Sequence, residues 1–371
     1  MVNELFVYYK ENKVGTLFVT KDKKIAFTYD DNWIKHGFSI SPFSLPLTKQ
    51  IFISNKPYFN GLFGVFNDSF VDSWGELLLE RHLLKKGVNY HSLNILDKLS
   101  LLGSHTMGGL TYKPSINENI KINNIDLDEL QGDIDKLFEN SSNENIDTLF
   151  ALGGSSGGTR PKILTKYQNK NVIIKFHNKK DPLDIAKKEY LYSVYAKKLG
   201  INVPYVELIK GKKNDYFLIE RFDLYNNERV FTISVSGLLE CDYNSPCLDY
   251  NDLIKLTNIL TNDKNETLEM YRRMVFNVIF DNLDDHSKNF MFIHDDQTKN
   301  KYHLSPAFDL TPSTTYFGEH TTSINHKGKN ISDEDMLLIA KTNDIDIKKA
   351  KSIIELAKAL KQEYDKKVKE S

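Results

Sequence analysis

The sequence has few features that would direct it to an oxidising compartment or a membrane. Only Cys241 and Cys247 are present among 371 residues, and no signal-type apolar segment follows Met1. We therefore expect reduced thiols in a cytoplasmic protein. No apolar run approaches the ~18 residues of a transmembrane helix, so no membrane partner is expected. A net charge of −1 gives no general attraction to nucleic acid, so contact with DNA would be local or indirect.

The chain is too long for one small core and suggests two or three subdomains. Short aromatic and β-branched runs dominate the beginning, and helical spacing follows from Phe70 to Leu84. The pattern turns mostly helical after Asp223. We expect three parts: a β-rich module over 1–110, a nucleotide-binding lobe over 111–222, and a helical catalytic lobe over 223–371.

A glycine-rich segment reads Gly153-Gly-Ser-Ser-Gly-Gly-Thr-Arg-Pro-Lys162, and strand patterns follow at Ile163–Tyr167 and Val172–Phe176. Glycines let backbone N–H groups approach phosphates closely, and a following cation complements the phosphate charge. The segment lacks the Gly-Lys-Ser/Thr ending of a Walker loop. Taken alone, such a segment is also typical of a flexible linker.

Lys175 lies inside the second of these strand patterns. A charge in an apolar strand is costly without a partner, and kinases pair such a lysine with a glutamate on the next helix. Asp181-Pro182 predicts the start of that helix, with Leu183 opening its apolar face. Glu189 in the same helix is the candidate partner. The alternative is that Lys175 and Glu189 both point to solvent.

The segment Asn282-Leu-Asp-Asp-His-Ser-Lys-Asn-Phe290 has the parts of a phosphotransferase centre. In kinases an aspartate accepts the acceptor proton, while an asparagine five positions on and a later aspartate hold Mg²⁺. Asp284, Asn289 and Asp309 have these types and spacings. Short strands at 291–293 and 302–304 predict a hairpin that would bring Asp309 close to Asn289. The alternative is that these are only turn and cap residues.

The segment Tyr216-Phe-Leu-Ile-Glu-Arg-Phe-Asp223 predicts a buried strand that ends in a charged turn. In a kinase this position joins the two lobes, and its backbone binds the adenine edge. An ordinary strand ending is equally compatible with the pattern.

Together these motifs resemble the HipA-like kinases of type II toxin–antitoxin systems over nearly the whole chain. Besides the segments above, the resemblance rests on Phe66–Gly75 and on Phe308-Asp309. It implies an α+β, two-lobed protein-kinase-like fold with an additional N-terminal β-rich subdomain and an α-helical C-lobe. ATP and Mg²⁺ would bind between the lobes.

The resemblance also implies roles for individual residues. Asp284 would be catalytic, with Asn289 and Asp309 as Mg²⁺ ligands. Candidate nucleotide-binding residues are Gly157, Gly158, Arg160, Lys162, Lys175, Glu220, Phe222 and His286. Of these, His286 is interpreted as a structural loop residue rather than a base.

The resemblance implies a regulatory serine as well. Ser155 aligns with the serine that family members autophosphorylate, and the adjacent Ser156 leaves open which hydroxyl is modified. About two added negative charges should expel a loop that cradles phosphates. Two departures stand out: Asp285 occupies a position where some relatives have glycine, and Pro161 has no N–H to offer a phosphate.

The implied function is that of a serine/threonine protein kinase toxin that arrests growth, a route to persistence. It would phosphorylate a cellular protein, for example an aminoacyl-tRNA synthetase. A small helix-turn-helix antitoxin (HipB-like) would neutralise it, with DNA contacted only through that partner. One alternative is a kinase of a small molecule or lipid. Another is a non-catalytic co-repressor partner of a DNA-binding antitoxin.

Overall fold

The structure is a computed structural model that describes residues 2–103, 106–115, 125–139, 145–154, 156–179, 181–298, 301–313, 315 and 317–369. Its residues form two compact units. The first unit comprises Met1–Ala186, Glu207–Ile233 and Gly237–Glu240, and the second comprises Lys187–Val206, Ser234–Ser236 and Cys241–Ser371. Within the described ranges, no helix is both long and apolar enough to span a bilayer.

The first unit begins with a five-stranded antiparallel sheet in the order β4-β3-β2-β1-β5. Leu5, Val7 and Tyr9 are buried at alternate positions of its first strand, as the period of two of a half-buried strand requires. Its strands are β1 (Glu4–Tyr9), β2 (Asn12–Val19), β3 (Ile25–Tyr29), β4 (Ile51–Ile53) and β5 (Leu110–Lys113). The strands predicted from the short aromatic and β-branched runs at the beginning of the chain are confirmed as β1, β2 and β3.

A second sheet in the first unit has four strands in the order β6-β7-β9-β8. They are β6 (Lys162–Tyr167), β7 (Lys170–Lys175), β8 (Val206–Lys210) and β9 (Asp215–Glu220). The strand patterns predicted after the glycine-rich segment and before Arg221 are confirmed. A two-stranded ribbon follows, formed by β10 (Leu224–Tyr225) and β11 (Glu228–Arg229).

Helices of the first unit share a buried core with the second sheet. They are α1 (Asp31–His36), α2 (Gly64–Asn67), α3 (Ser73–Lys85), α4 (Ile95–Leu102), α5 (Leu127–Phe138) and α6 (Ile146–Gly153). Trp74 and Leu78 of α3 lie in the same buried cluster as Ile134 of α5, Leu149 of α6 and Ile163 of β6. Residues that precede the glycine-rich segment therefore form part of the core that supports it.

The second unit is mainly helical. Its elements are α9 (Tyr250–Thr261), α10 (Lys264–Ile279), β13 (Met291–His294), β14 (Tyr302–Leu304), α11 (Asp333–Thr342) and α12 (Ile347–Lys369). Strands β13 and β14 pair as an antiparallel hairpin, which confirms that prediction. The chain passes between the units within β8, α7 (Ile185–Lys198), β12 (Thr232–Ser234) and α8 (Val235–Leu239).

The predicted start of α7 is wrong by three residues. The Asp181 carboxylate accepts a hydrogen bond from Asn178 N at 3.0 Å, while Asp181 N donates to Asn178 O at 2.9 Å. Aspartate side chains often close such local turns in competition with a helix cap. The helix therefore begins at Ile185, and Leu183, predicted on the apolar face, is 88% exposed.

Leu78→Ala should lower the free energy of unfolding by ~2–5 kcal/mol, because Leu78 is fully buried in the shared core and its removal leaves a cavity. Urea denaturation measures the change. Leu84→Ala in the same helix is the matched control, because Leu84 is 62% exposed, and its effect should stay within ~0.5 kcal/mol. Equal effects of the two substitutions would contradict the shared core.

A buried carboxylate organises the start of α11. Ser332 caps the helix, Ser332 N donates to Asp335 Oδ2 at 2.9 Å, and Asp335 N donates back to Ser332 Oγ at 3.2 Å. Lys327 Nζ lies 2.8 Å from Asp335 Oδ1, which also accepts from Asn325 Nδ2 at 3.0 Å. These bonds, chiefly the one from Lys327, hold the pKa of Asp335 well below its usual range.

Asp335→Asn should lower the free energy of unfolding by ~1–2 kcal/mol at pH 7. The depressed pKa in the folded state means that the stabilisation is complete above ~4, the pKa in the unfolded chain, and is lost as pH falls below it. Urea unfolding from pH 7 to pH 3.5 should therefore show the difference from wild type shrinking. A constant difference would contradict this account.

Candidate functional site

The glycine-rich segment connects the end of α6 to the start of β6. A Cβ atom on Gly153 would lie 2.5 Å from Lys162 O, so the closing of this loop leaves no room for a side chain there. Gly158 has a φ of +89°, in the left-handed region that favours glycine. The sequence forms a tight loop at this point rather than a flexible linker.

The start of α3 anchors this loop. Gly158 N donates to Asp72 Oδ2 at 2.8 Å, and Trp74 N donates to Gly158 O at 3.3 Å. The Trp74 indole N–H donates to Lys162 O at 3.0 Å. Asp72 and Trp74 had no predicted site role, although both lie in the Phe66–Gly75 segment that carries the resemblance.

Two lysines stand opposite each other where the loop meets the sheet. Lys162 of β6 is the direct register partner of Lys175 of β7, so both side chains share one face. The buried Lys162 ammonium donates to Gly157 O beneath the loop. Lys175 is half-buried, and its Nζ lies 5.7 Å from the centroid of the Phe217 ring. Like charges directly opposite destabilise a sheet unless an anion compensates them.

The loop contains two further predicted residues that the structure describes. Arg160 is half-buried, and its Nε lies 3.4 Å from Asp181 Oδ1. Ser156 is fully buried and donates its hydroxyl to Gly153 O at 2.7 Å. Ser155 lies outside the described residues.

The predicted hinge follows β9. Lys170 Nζ donates to both carboxylate oxygens of Glu220, at 3.1 and 3.0 Å. The half-buried Arg221 and the buried Asp223 form a two-pronged ion pair at 2.9 and 2.7 Å. Burial alone would raise the pKa of Asp223, but the Arg221 charge and the hydrogen bonds outweigh it and lower that pKa. Phe222 between them is half-buried.

Glu189 is buried within α7. It belongs to the second unit, whereas Lys175 belongs to the first. Their pairing stays a prediction.

The second unit carries the predicted catalytic loop. After α10 the chain runs through Asp284 into a single 3-10 turn at Ser287–Asn289. Asn289 Nδ2 donates to Asp284 O at 2.8 Å, and Asn289 N donates to His286 O at 2.9 Å. Because the amide nitrogen of Asn289 makes this bond, the amide oxygen of Asn289 points away from the Asp284 carbonyl. Asp284 is exposed.

Asp309 follows the hairpin. Its backbone is in the left-handed region, with a φ of +55°, an uncommon conformation for a residue with a side chain. Four residues later, Ser313 forms a bridge with Asn282. The structure therefore brings the segment after Asp309 alongside the beginning of the catalytic loop.

His286 is half-buried in this loop, and its ring lies 5.8 Å from that of Tyr243. Its buried Nδ1 has no hydrogen-bond partner among the described residues. Lys288 Nζ lies 4.7 Å from the Tyr243 ring centroid. The loop is thus packed on one side by Tyr243.

The donors available for a metal are oxygens. Within the described ranges, no cluster of three or more His, Cys, Asp or Glu side chains could hold an ion. The predicted site instead uses one amide oxygen, from Asn289, and one carboxylate, from Asp309. This set fits Mg²⁺, which prefers oxygen ligands and usually takes only one or two from protein, completing its shell with phosphate and water.

Asp285 differs from its exposed neighbour Asp284. Its side chain is buried and accepts hydrogen bonds from Tyr250, His320 and Thr322. These hydrogen bonds indicate that Asp285 holds the loop in place. No motif in the sequence indicates that Tyr250 and His320 would donate to Asp285.

Comparison with known proteins supports the fold. Residues 5–113 match the HipA N-terminal domain, and residues 154–367 match the HipA-like C-terminal domain. HipA from Shewanella oneidensis MR-1, in a complex with HipB and operator DNA, is 18% identical with a TM-score of 0.72, over 95% of this chain and 88% of that one. The predicted α+β, two-lobed kinase-like fold is confirmed.

The proinflammatory kinase CtkA of Helicobacter pylori is 17% identical over 57% of this chain and 90% of that one. Its TM-score is 0.40. No curated protein matches the sequence significantly. The match to the HipA-like C-terminal domain alone covers more than half of the residues, and the chain belongs to the HipA-like family.

Proposed function

We propose that this protein is an ATP- and Mg²⁺-dependent serine/threonine protein kinase that acts in the cytoplasm as the toxin of a toxin–antitoxin pair. The observation that carries the proposal is the bond from the Asn289 amide to the Asp284 carbonyl. It orients the amide oxygen of Asn289 as a metal ligand, and the exposed side chain of Asp284 can be approached by an acceptor hydroxyl. Asp309 supplies the second metal ligand.

The first unit supplies the groups for the nucleotide phosphates. Lys162 and Lys175 present two cations on one face of the sheet, which favours a polyanionic ligand such as the phosphates of ATP. Gly157, Gly158 and Arg160 contribute the loop above them. Glu220 and Phe222 line the adenine through the backbone, because Lys170 holds the Glu220 carboxylate. Glu189 pairs with Lys175.

Catalysis rests on positioning. Asp284 orients the acceptor hydroxyl and takes up its proton, while Lys175 holds the phosphates. Bound Mg²⁺ supplies neutralisation of the phosphate charge. A serine or threonine on a protein is the proposed acceptor, and a small molecule or lipid is the alternative. The family resemblance favours an aminoacyl-tRNA synthetase as that protein.

The proposed partner is a small helix-turn-helix antitoxin of the HipB type. It is supported by the similar Shewanella protein, whose structure contains HipB and operator DNA. The net charge of −1 favours contact with DNA through such a partner rather than directly. A role as co-repressor is compatible with kinase activity, and a purely non-catalytic role is the alternative.

Asp284→Asn should lower the rate of phosphoryl transfer by ~10²–10⁴-fold, because an amide cannot take up the acceptor proton. Transfer from γ-labelled ATP with Mg²⁺, to the protein itself and to a lysate band, measures the rate. Asp281→Asn is the matched control: Asp281 is exposed and in the left-handed region, which asparagine tolerates. The absence of transfer by folded, unphosphorylated wild type would overturn the proposal.

Autophosphorylation should modify Ser155 and not Ser156. The Ser156 hydroxyl is buried and already bonded to Gly153 O, and a phosphate there would bury about two negative charges. Mass spectrometry of wild type, Ser155→Ala and Ser156→Ala after incubation with ATP should show that only Ser155→Ala lacks the phosphopeptide. Loss of the phosphopeptide in Ser156→Ala alone would reverse the assignment.

A further inference from the structure

The carboxylate of Asp285 is the most completely buried charge in the catalytic loop. Asp285 is only 1% exposed, although it directly follows the exposed Asp284. One of its oxygens accepts from Tyr250 Oη and His320 Nδ1, each at 2.9 Å, and the other accepts from Thr322 N at 3.1 Å. Thr322 Oγ1 donates to the Asp285 carbonyl at 2.5 Å. The segment 320–322 is thus fixed to Asp285 by side chain and backbone.

A chain of hydrogen bonds leads to the same carboxylate from the backbone of Asp284. Asp284 N donates to Ser313 Oγ at 2.9 Å, and Ser313 Oγ donates to Asn282 Oδ1 at 3.3 Å. Asn282 Nδ2 donates to Asn277 Oδ1 at 3.0 Å, and Asn277 Nδ2 donates to Tyr250 Oη at 2.8 Å. Tyr250 then donates to Asp285. We call this series of hydrogen bonds, from Asp284 N to the Asp285 carboxylate, the relay. Each of its members donates to the next one in the direction of the carboxylate.

The physical consequence is a loop with a single arrangement. A buried carboxylate is tolerated only when hydrogen bonds satisfy it, so displacement of its donors is costly. Hydrogen bonds that run in one direction also polarise one another and strengthen the series. Burial, and then the Asp285 charge, raise the pKa of Tyr250 well above its usual range, so the phenol keeps its proton.

We propose that Asp285 is a positioning residue whose buried carboxylate fixes the backbone of Asp284 and the segment 320–322 in the arrangement that phosphoryl transfer requires. The inference rests on the proposed kinase function. Asp285 touches neither nucleotide nor acceptor; it acts by holding Asp284 in place. A displacement of about 1 Å at a catalytic group can cost ~10²-fold in rate, which sets the scale of the expected effect.

The test compares two buried carboxylates of the same unit. Asp285→Asn should lower kcat by ~10–100-fold and leave the KM for ATP within ~2-fold, because the loss affects positioning rather than nucleotide binding. Asp335→Asn removes a hydrogen-bonded carboxylate at the start of α11 and should leave kcat within ~2-fold at a similar cost in stability. Equal falls in kcat for the two variants would overturn the inference.

A double-mutant cycle tests whether the relay acts as one unit. Tyr250→Phe removes the link between Asn277 and Asp285 but keeps the ring that packs against Phe290. It should lower kcat by ~3–10-fold in wild type and have no further effect in Asp285→Asn. Independent, multiplicative effects would contradict the relay. Tyr250→Phe also provides the test alone if Asp285→Asn does not fold.

Hydrogen exchange separates failure of this inference from failure of the kinase proposal. Wild type without phosphoryl transfer would overturn the kinase proposal. Exchange at the amides of Asp284 and Thr322 should still become ~10-fold faster in Asp285→Asn and stay unchanged in Asp335→Asn. Unchanged exchange in Asp285→Asn would show that the carboxylate does not fix the loop.

Discussion

Both parts of the candidate site depend on hydrogen bonds from loop backbone N–H groups to aspartate carboxylates. Asp72 accepts from Gly158, Asp223 from Gly108 and Asp285 from Thr322. A loop cannot satisfy its own backbone groups as a helix or sheet does, and an unsatisfied buried group costs ~1–3 kcal/mol. In each case a short, rigid aspartate supplies the missing acceptor, so the position of the loop follows from the element that carries the aspartate.

The two parts of the candidate site carry charges of opposite sign. In the first unit, the Asp72 carboxylate accepts a hydrogen bond from the loop backbone, and the cross-strand pair Lys162 and Lys175 places two cations on one face of the sheet. In the second unit, both carboxylate oxygens of Asp285 accept hydrogen bonds, while Asp284 is exposed. The cations proposed for phosphates and the oxygen donors proposed for a metal thus belong to separate units.

The sequence was most informative where structure is local. The hairpin of β13 and β14, the strands around Lys175 and the helix before Asn282 follow from periodicity within a few residues, and the structure contains them. The prediction for the start of α7 was wrong because a local turn at Asp181 competes with the helix cap. The Asp72 contact joins residues 86 positions apart, and the His320 contact joins residues 35 apart. No spacing rule predicts such pairs, because the tertiary fold brings them together.

The core shared by α3 and the second sheet has a consequence for how the chain is made. Trp74 and Leu78 pack with Ile163 of β6, and the same cluster includes Leu218 of β9. A ribosome delivers residue 74 well before residue 218, so the N-terminal module emerges with part of its apolar surface uncovered. Contacts of such separation form slowly, and exposed apolar surface promotes aggregation in the meantime. The nascent chain should therefore bind chaperones that protect α3 until β9 has been synthesised.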